Sequence, residues 1–450
     1  MDLPSQRVFT NKQLLVMIGP MVAEAVFSSL ISMVDGIMVS SVGEAAISAV
    51  SLVGSISTVM LVLFNAMTAG GSIVTSQYIG AKKPEEAKQA AGQMLLMTLA
   101  ASVLLGLICV LFSRQILTLC FGSVEQDVMN DAVVYFTYNA ASYPLIAIRS
   151  GCGTIFRCSK NTKVSLKVSI LANLVNVAGN YICIHILHMG VEGVAIPTVL
   201  CRVVSVATIV WMLARSDKTL KPSLQDVTRV YPKTMKKILG LGLPTAVESS
   251  LFDAGKVMVM SMISLFGTYQ IAASSTATML AHFAYIPAQA CHGLSLTVIG
   301  QCVGAKDEAQ LKENLRKLNI AAYLLDALVA IPTILLRYQL LGLYDSLSPE
   351  TVELAADLML ISLGGMMIFY PPAYGFNGPL RAANDTTYGM VVSIVSMMLV
   401  RVGLSQVLCV YLGWGAVGVW AAMVCDWIFR SIFLIPRFTS GVWKKKCGMA

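Results

Sequence analysis

The chain holds 450 residues, of which 56% are hydrophobic and only 12% charged, with a net charge of +8 and a mean hydropathy of +0.73. A soluble globular chain carries about 25% charged residues, so this composition excludes a water-soluble protein and points to an integral membrane one. The eleven cysteines show no C-x2-C or Cys/His ligand spacing, which argues against a disulfide framework or a zinc site.

Crossing a bilayer core takes about 20 apolar residues in a helix. Twelve runs meet that need, at 14–40, 45–76, 91–112, 130–153, 164–187, 193–214, 240–265, 271–301, 318–337, 353–378, 387–411 and 415–437. The first is too long for the apolar part of a cleavable signal peptide and reads as a retained span. With the N-terminus in the cytoplasm, the inside segments hold 26 Lys+Arg and the outside loops two, Arg114 and Arg337. That is the asymmetry expected of the positive-inside rule, and it places both termini in the cytoplasm. Basic residues facing an anionic leaflet explain the net charge, so membrane lipids are expected partners and nucleic acid is not.

The chain repeats itself at a shift of 224. Pro20 falls on Pro244, Glu24 on Glu248, Gly43 on Gly267, Ile47 on Ile271 and Ala49 on Ala273. The run from Gln77 to Lys82 falls on that from Gln301 to Lys306; Gly151 meets Gly375, Arg157 meets Arg381, and Thr162 meets Thr386. Each copy holds six spans, an even number, so the copies share one orientation and form a parallel repeat. The expected fold is all-α and membrane-embedded, with an N-terminal six-helix lobe over 1–214, a basic cytoplasmic connector over 215–239, and a C-terminal six-helix lobe over 240–450.

One carboxylate stands out in the first span. Asp35 has no lysine or arginine between Leu14 and Lys82 to pair with. A charge inside a membrane costs about 3 kcal/mol or more and usually faces a cavity or a partner. Asp35 lies roughly 7–8 Å from the outer end of its span, at about 1.5 Å per residue, and Glu24, Ser28 and Ser32 fall near the same helical stripe. The stripe is expected to line an aqueous cavity, with Asp35 taking up a proton or Na⁺ as substrate leaves.

Five stretches carry a family likeness. GP-x3-E opens the first span, VDGIMVSSVGEAAISAVSL surrounds Asp35, SQYIGAKKPEEAKQ follows the second span, and FRCSKNT and LRAANDT follow the fourth and tenth. Together they resemble the MATE (multidrug and toxic compound extrusion) family, which exports drugs in exchange for H⁺ or Na⁺. Pro20, fifteen residues before Asp35, is similar to the bending proline of the DinF-type branch. The resemblance implies a coupling cluster of Asp35 with Asn176 and Asn180 on span 5, Thr198 on span 6, and Tyr135 or Tyr138 on span 4. Tyr135 fits the spacing better. Where that branch carries a second aspartate this chain has Asn180, which hydrogen-bonds but does not titrate. The NorM-type branch has an aspartate in span 10 where this chain has Tyr370, which argues against coupling there.

Span 7 holds Glu248, Asp253 and Lys256. Glu248 mirrors Glu24, and Glu24, Glu248, Asp253 and Lys256 read as structural or as a second site; Asp253 and Lys256 lie three apart on one face, a spacing at which they are expected to neutralise each other. Arg149, Arg202, Asp326, Arg401 and Asp426 are expected to pair between helices. His282 and His292 read as packed side chains before proton relays; His185 and His188 read as interfacial. The 25 methionines suit a surface that accepts varied apolar ligands. No P-loop, H-E-x-x-H or G-x-S-x-G motif occurs, so no enzyme chemistry and no cofactor is expected, and transport draws on an H⁺ or Na⁺ gradient. The sequence thus points to a monomeric antiporter of the bacterial plasma membrane, exporting small amphipathic, cationic molecules. The alternative is a lipid-linked oligosaccharide or polysaccharide flippase of the same superfamily, which would need a cationic cavity.

Overall fold

The computed structural model describes residues 7–122, 125–216, 221–344 and 347–449, and all regular structure among them is helical. Four residues of the basic connector, 217–220, lie outside the described residues. Twelve spans follow in chain order. The first six are α1 (Asn11–Ser40), α2 (Glu44–Gly80), α3 (Pro84–Leu111), α4 (Gln126–Ala141 continuing as Tyr143–Cys158), α5 (Lys163–Ile186) and α6 (Glu192–Arg215). The second six are α7 (Pro232–Ser264), α8 (Thr268–Gly304), α9 (Glu308–Leu335), α10 (Pro349–Ala382), α11 (Thr386–Tyr411) and α12 (Ala416–Thr439).

Nine of the twelve are long and apolar enough to cross a membrane by length and composition alone. The other three are α4, α7 and α8, and each has a physical reason. Ser142 splits α4 into two helices of 16 residues. Glu248, Asp253 and Lys256 lie within α7. Small and polar side chains fill α8, and many of them, Ser274, Thr297 and Gln301 among them, are buried against protein. A helix wrapped by its neighbours has no need of an apolar surface facing lipid.

The repeat is visible in the backbone as well as in the side chains. Gly43 and Gly267, which precede α2 and α8, both have positive φ, at 139° and 96°, a region that L side chains rarely adopt. Lys82 and Lys306, just past the ends of α2 and α8, are both left-handed at φ 56°. Lys160 and Asn384, after α4 and α10, repeat the pattern at 61° and 65°. Such residues close helix C-termini by turning the chain back on its last carbonyls, and here they sit one repeat apart.

Contacts divide the chain into two compact units, Asn11–Ala246 and Val247–Ala450, the second also taking the described N-terminal residues up to Thr10. In the N-terminal unit α1 lies along α5, α5 along α6, and α2 against α3 and α4. In the C-terminal unit α8 lies against α9 and α10, and α10 against α12. The boundary falls inside α7 because its first turns belong with α2. Gly70 and Gly242 allow that approach: a Cβ on Gly70 would stand 2.4 Å from the Ile238 carbonyl oxygen, and one on Gly242 2.7 Å from that of Ala66. The connector also docks on this unit. Buried Gln93 donates to the carbonyls of Asp226 (2.9 Å) and Arg229 (2.7 Å) and accepts from the Tyr231 N–H (2.9 Å).

In the C-terminal unit the N-terminal arm is anchored by Val8, whose N–H donates to Gln310 Oε1 at 2.6 Å, and by Phe9, which is buried. Both α5 and α11 end in π-helical turns, Ile182–Ile186 in α5 and Ser396–Leu404 with Gln406–Tyr411 in α11. Such wide turns rotate the side chains that follow them and occur often at functional sites.

Candidate functional site

Asp35 stands on α1 about a turn and a half before its end and is half-buried against α5. Asn180 Nδ2 donates to Asp35 Oδ1 at 3.2 Å. With its amide turned to satisfy both of its polar atoms, Asn176 donates to Oδ1 at 2.8 Å and to Oδ2 at 3.0 Å; the choice of orientation rests on the hydrogen-bond network. The two asparagines lie four apart, on one face of α5, so a single helix presents two amides to one carboxylate. Lower down, Ser28 and Ser169 meet at 3.3 Å between their hydroxyls, and Thr162 donates to the Met17 carbonyl at 3.1 Å. These contacts set the register of α1 on α5. Gly179, next to Asn180, lets α5 close on α6: a Cβ there would meet Pro197 Cβ at 2.8 Å.

No basic side chain reaches Asp35 within ion-pair distance among the described residues. Tyr135 is buried within electrostatic range of Asp35 and Arg202. Thr198 gives its hydroxyl to the Val194 carbonyl of its own helix, at 2.8 Å. Of the five residues that the resemblance groups together, the structure joins Asp35, Asn176 and Asn180 by hydrogen bonds. Tyr135 and Thr198 stand nearby without a hydrogen bond to the carboxylate, and Tyr138 is exposed.

Glu24 is placed quite differently. It lines a cavity of about 210 Å³ with Arg149, Arg157, Asn65 and Ser150, and its carboxylate lies 3.7 Å from Arg149. Its repeat mate Glu248 is buried, bound by Arg381 at 2.6 Å and by Asn377 Nδ2 at 2.9 Å. Both glutamates therefore face cations, as Asp35 does not. Asp253 and Lys256 pair at 2.9 Å and are both largely exposed.

Of the remaining intramembrane charges, Arg202, Asp326 and Asp426 find hydrogen-bond or ion-pair partners. Arg202 donates to the Asn139 carbonyl (3.3 Å) and side chain (3.0 Å) and to the Ser142 hydroxyl. It thereby joins the polar cluster at the break in α4, where the Asn139 carbonyl also accepts from the Ser142 N–H at 3.1 Å and hydroxyl at 2.7 Å. Asp326 accepts from the Ala288 N–H at 3.0 Å. Asp426 is held by Arg430 at 3.2 Å and by the Ser396 hydroxyl. Arg401 has no ion pair; its guanidinium lies 5.6 Å from the Phe252 ring. His282 and His292 each contact aromatic rings, Phe283 and Tyr370 among them.

Two features escape the sequence. Asp385, in the turn before α11, is fully buried between Arg437 (2.8 Å) and Lys446 (2.6 Å); its place in LRAANDT, where the first repeat has Asn161, is its one signal in the sequence. In the C-terminal unit, Tyr285, Tyr370 and Trp427 pack edge to face, with Tyr374 tilted against Tyr370, around a cavity of about 430 Å³. No periodicity in the sequence brings those four together.

Two repeats of six spans, with a half-buried carboxylate held by amides inside the first, define a membrane transporter. The MatE family model matches residues 20–182 and again 244–407, so the second match begins one repeat after the first. The chain belongs to this family, whose members are transporters and not enzymes. The uncharacterized transporter YisQ of Bacillus subtilis is 25% identical over 92% of this chain and 91% of its own length. The probable multidrug resistance protein NorM of Thermotoga maritima is 24% identical over 97% and 94%. Among solved structures, MATE in the bent conformation matches with a TM-score of 0.87 at 19% identity, over 97% of each chain. The outward-facing conformation of a multidrug resistance MATE family transporter matches with 0.89 at 19%, over 96% of each. At that identity the likeness is one of fold.

Proposed function

We propose that this chain is a secondary active antiporter that exports amphipathic, cationic compounds in exchange for H⁺ or Na⁺ by alternating access, with Asp35 as the coupling carboxylate. The observation that carries the reading is that Asp35 is a membrane carboxylate held by two neutral amides and by no cation. Amides keep the group in place without satisfying its charge, so a proton, a sodium ion or a cationic substrate can do so in turn. Occupancy by one excludes the others, and this competition is the coupling: linkage requires that whatever weakens substrate binding at Asp35 be weakened by substrate in return. The ion binds from outside, the substrate leaves, and the ion is discharged inward. Pro20, fifteen residues before Asp35, supports placement in the DinF-type branch. The relatives named multidrug resistance proteins support a broad substrate range.

The distribution of Lys and Arg supports a bacterial plasma membrane location with both termini in the cytoplasm. A monomer carries both repeats and needs no partner chain. A flippase for lipid-linked oligosaccharides would need a cationic cavity, and Asp35 has no cation within ion-pair distance among the described residues.

The test is export of a fluorescent cationic dye from proteoliposomes under an imposed pH or Na⁺ gradient, comparing wild type with Asp35→Asn. Gradient-driven movement that disappears in the variant is the expected result. Full movement in the variant would remove Asp35 from the mechanism, and no movement of wild type under either gradient would refute the antiport.

A further inference from the structure

The cavity of the C-terminal unit has the opposite polarity. Its volume is about 430 Å³, within the range of small-molecule sites. Phe252, Tyr285, Tyr370, Tyr374 and Trp427 supply aromatic walls, and the lining includes Lys256 and Arg401 but no carboxylate. Of the nearby acids, Asp426 is held by Arg430 and Ser396, Glu248 by Arg381 and Asn377, and Asp253 by Lys256, while Asp326 accepts from the Ala288 N–H through one oxygen and leaves the other unbonded among the described residues; none of the four lines the cavity. Arg401 is left as a cation with no ion pair among the described residues.

Two donors in this lining have no acceptor among the described residues. Trp427 is 2% exposed, and its indole N–H has no hydrogen-bond partner. Arg401 Nε is likewise buried without one. A buried donor without a partner costs about 1–3 kcal/mol, and more when charged. A site with two such donors beside aromatic faces suits a ligand that brings an anionic acceptor on a planar ring.

The repeat shows that the polarity is written into the chain. One repeat on from Asp35 stands Val259, which lines this cavity. The positions matching Asn176 and Asn180 hold Val400 and Leu404, while Arg401 stands where the first repeat has Val177. The C-terminal copy thus lacks the carboxylate and its amides and has a guanidinium in their neighbourhood.

We infer that the C-terminal cavity is a second binding site, one that takes an aromatic anion, with Arg401 and the Trp427 indole N–H as its acceptor-binding groups and the tyrosines as its stacking surface. A single unpaired guanidinium suits a carboxylate or sulfonate better than a pyrophosphate, which would call for several cations. This site is independent of Asp35 and goes beyond the export of cations.

The test is fluorescence anisotropy on the full chain in nanodiscs of neutral lipid, using fluorescein as the aromatic anion and ethidium as the aromatic cation. Saturable fluorescein binding is expected, weakened about tenfold or more by Arg401→Gln, partly kept by Arg401→Lys, and untouched by Asp35→Asn. A second variant, Val259→Asp, puts a carboxylate into the cavity without removing any donor. It should weaken fluorescein and strengthen ethidium, and it keeps the proposal testable if Arg401→Gln fails to fold. Absent saturable fluorescein binding, or binding that neither Arg401→Gln nor Val259→Asp alters, would overturn the inference. Loss of dye export in Asp35→Asn with fluorescein binding intact would separate this site from the coupling site.

Discussion

The two lobes descend from one pattern yet keep their charges in different ways. In the N-terminal lobe Asp35 rests on neutral amides and Glu24 stands 3.7 Å from its arginine beside a cavity. In the C-terminal lobe Glu248 is bound at 2.6 Å, Asp426 is locked to Arg430, and Asp385 to two cations. A carboxylate that must change its charge in each cycle is poorly served by a tight ion pair, whereas a carboxylate that fixes helices is well served by one. Duplication supplied two equal scaffolds, and their acids have divided: those of the first lobe are loosely held, whereas Glu248, Asp385 and Asp426 of the second are tied to cations and Asp326 alone rests on a backbone N–H.

The sharpest way to break this contrast is Asp35→Asn, which should lower gradient-driven export by about a thousandfold, in the range of a lost proton-transfer group. Transport rates in proteoliposomes check it, and the contrast fails if Val259→Asp restores export to that variant. Next in size is the loss of a tied acid. Glu248→Ala leaves Arg381 and Asn377 without their partner and should cost about 3–5 kcal/mol. Glu24→Ala, with a longer and more exposed pair, should cost about 1 kcal/mol or less. Thermal unfolding of the two variants in detergent compares them directly, and equal losses would erase the distinction.

Asp385 sharpens the comparison through pH. Burial pushes its carboxyl up, but hydrogen bonds from Arg437 and Lys446 outweigh that and hold it below the usual carboxylate range. With a folded value beneath the unfolded value of about 3.9, the acid stabilises the fold at neutral pH. That contribution fades as the pH falls through the folded value. Asp385→Asn should therefore lose about 1–3 kcal/mol at neutral pH, with the gap to wild type closing below about pH 4. Unfolding midpoints measured across that range check the sign. The smallest effect belongs to the exposed pair of Asp253 and Lys256. Lys256→Ala should change stability by about 0.5 kcal/mol or less, and a larger loss in the same unfolding assay would mean that the pair ties helices after all.

Much of this was legible in the sequence because membrane physics leaves few choices. Apolar runs must become helices, an even number of spans per copy fixes a parallel repeat, and a charge without a local partner is conspicuous. The offset of 224 marked Glu24 with Glu248 and Arg157 with Arg381, and the four-residue spacing of Asn176 and Asn180 placed both on one face. What stayed hidden depends on packing between distant helices. The spans α4, α7 and α8 meet the length of a membrane helix yet owe part of their stability to neighbours, which hydropathy does not record. Arg401 and Asp426 looked alike as membrane charges; only the fold shows that one is paired and the other is not. The aromatic cavity draws on α7, α8, α10, α11 and α12, and no local pattern joins them.

Gln93 has a consequence for anyone wishing to alter this protein. One side chain on α3 closes three hydrogen bonds with the backbone of the connector between Asp226 and Tyr231. That stretch is thus tailored to its seat, and exposed sequence position is a poor guide to where the chain tolerates insertion. A fluorescent reporter or epitope placed there, where a hydrophilic link between duplicated halves looks like the natural cloning site, would unseat a buried amide and lift the link from the helix it rests on.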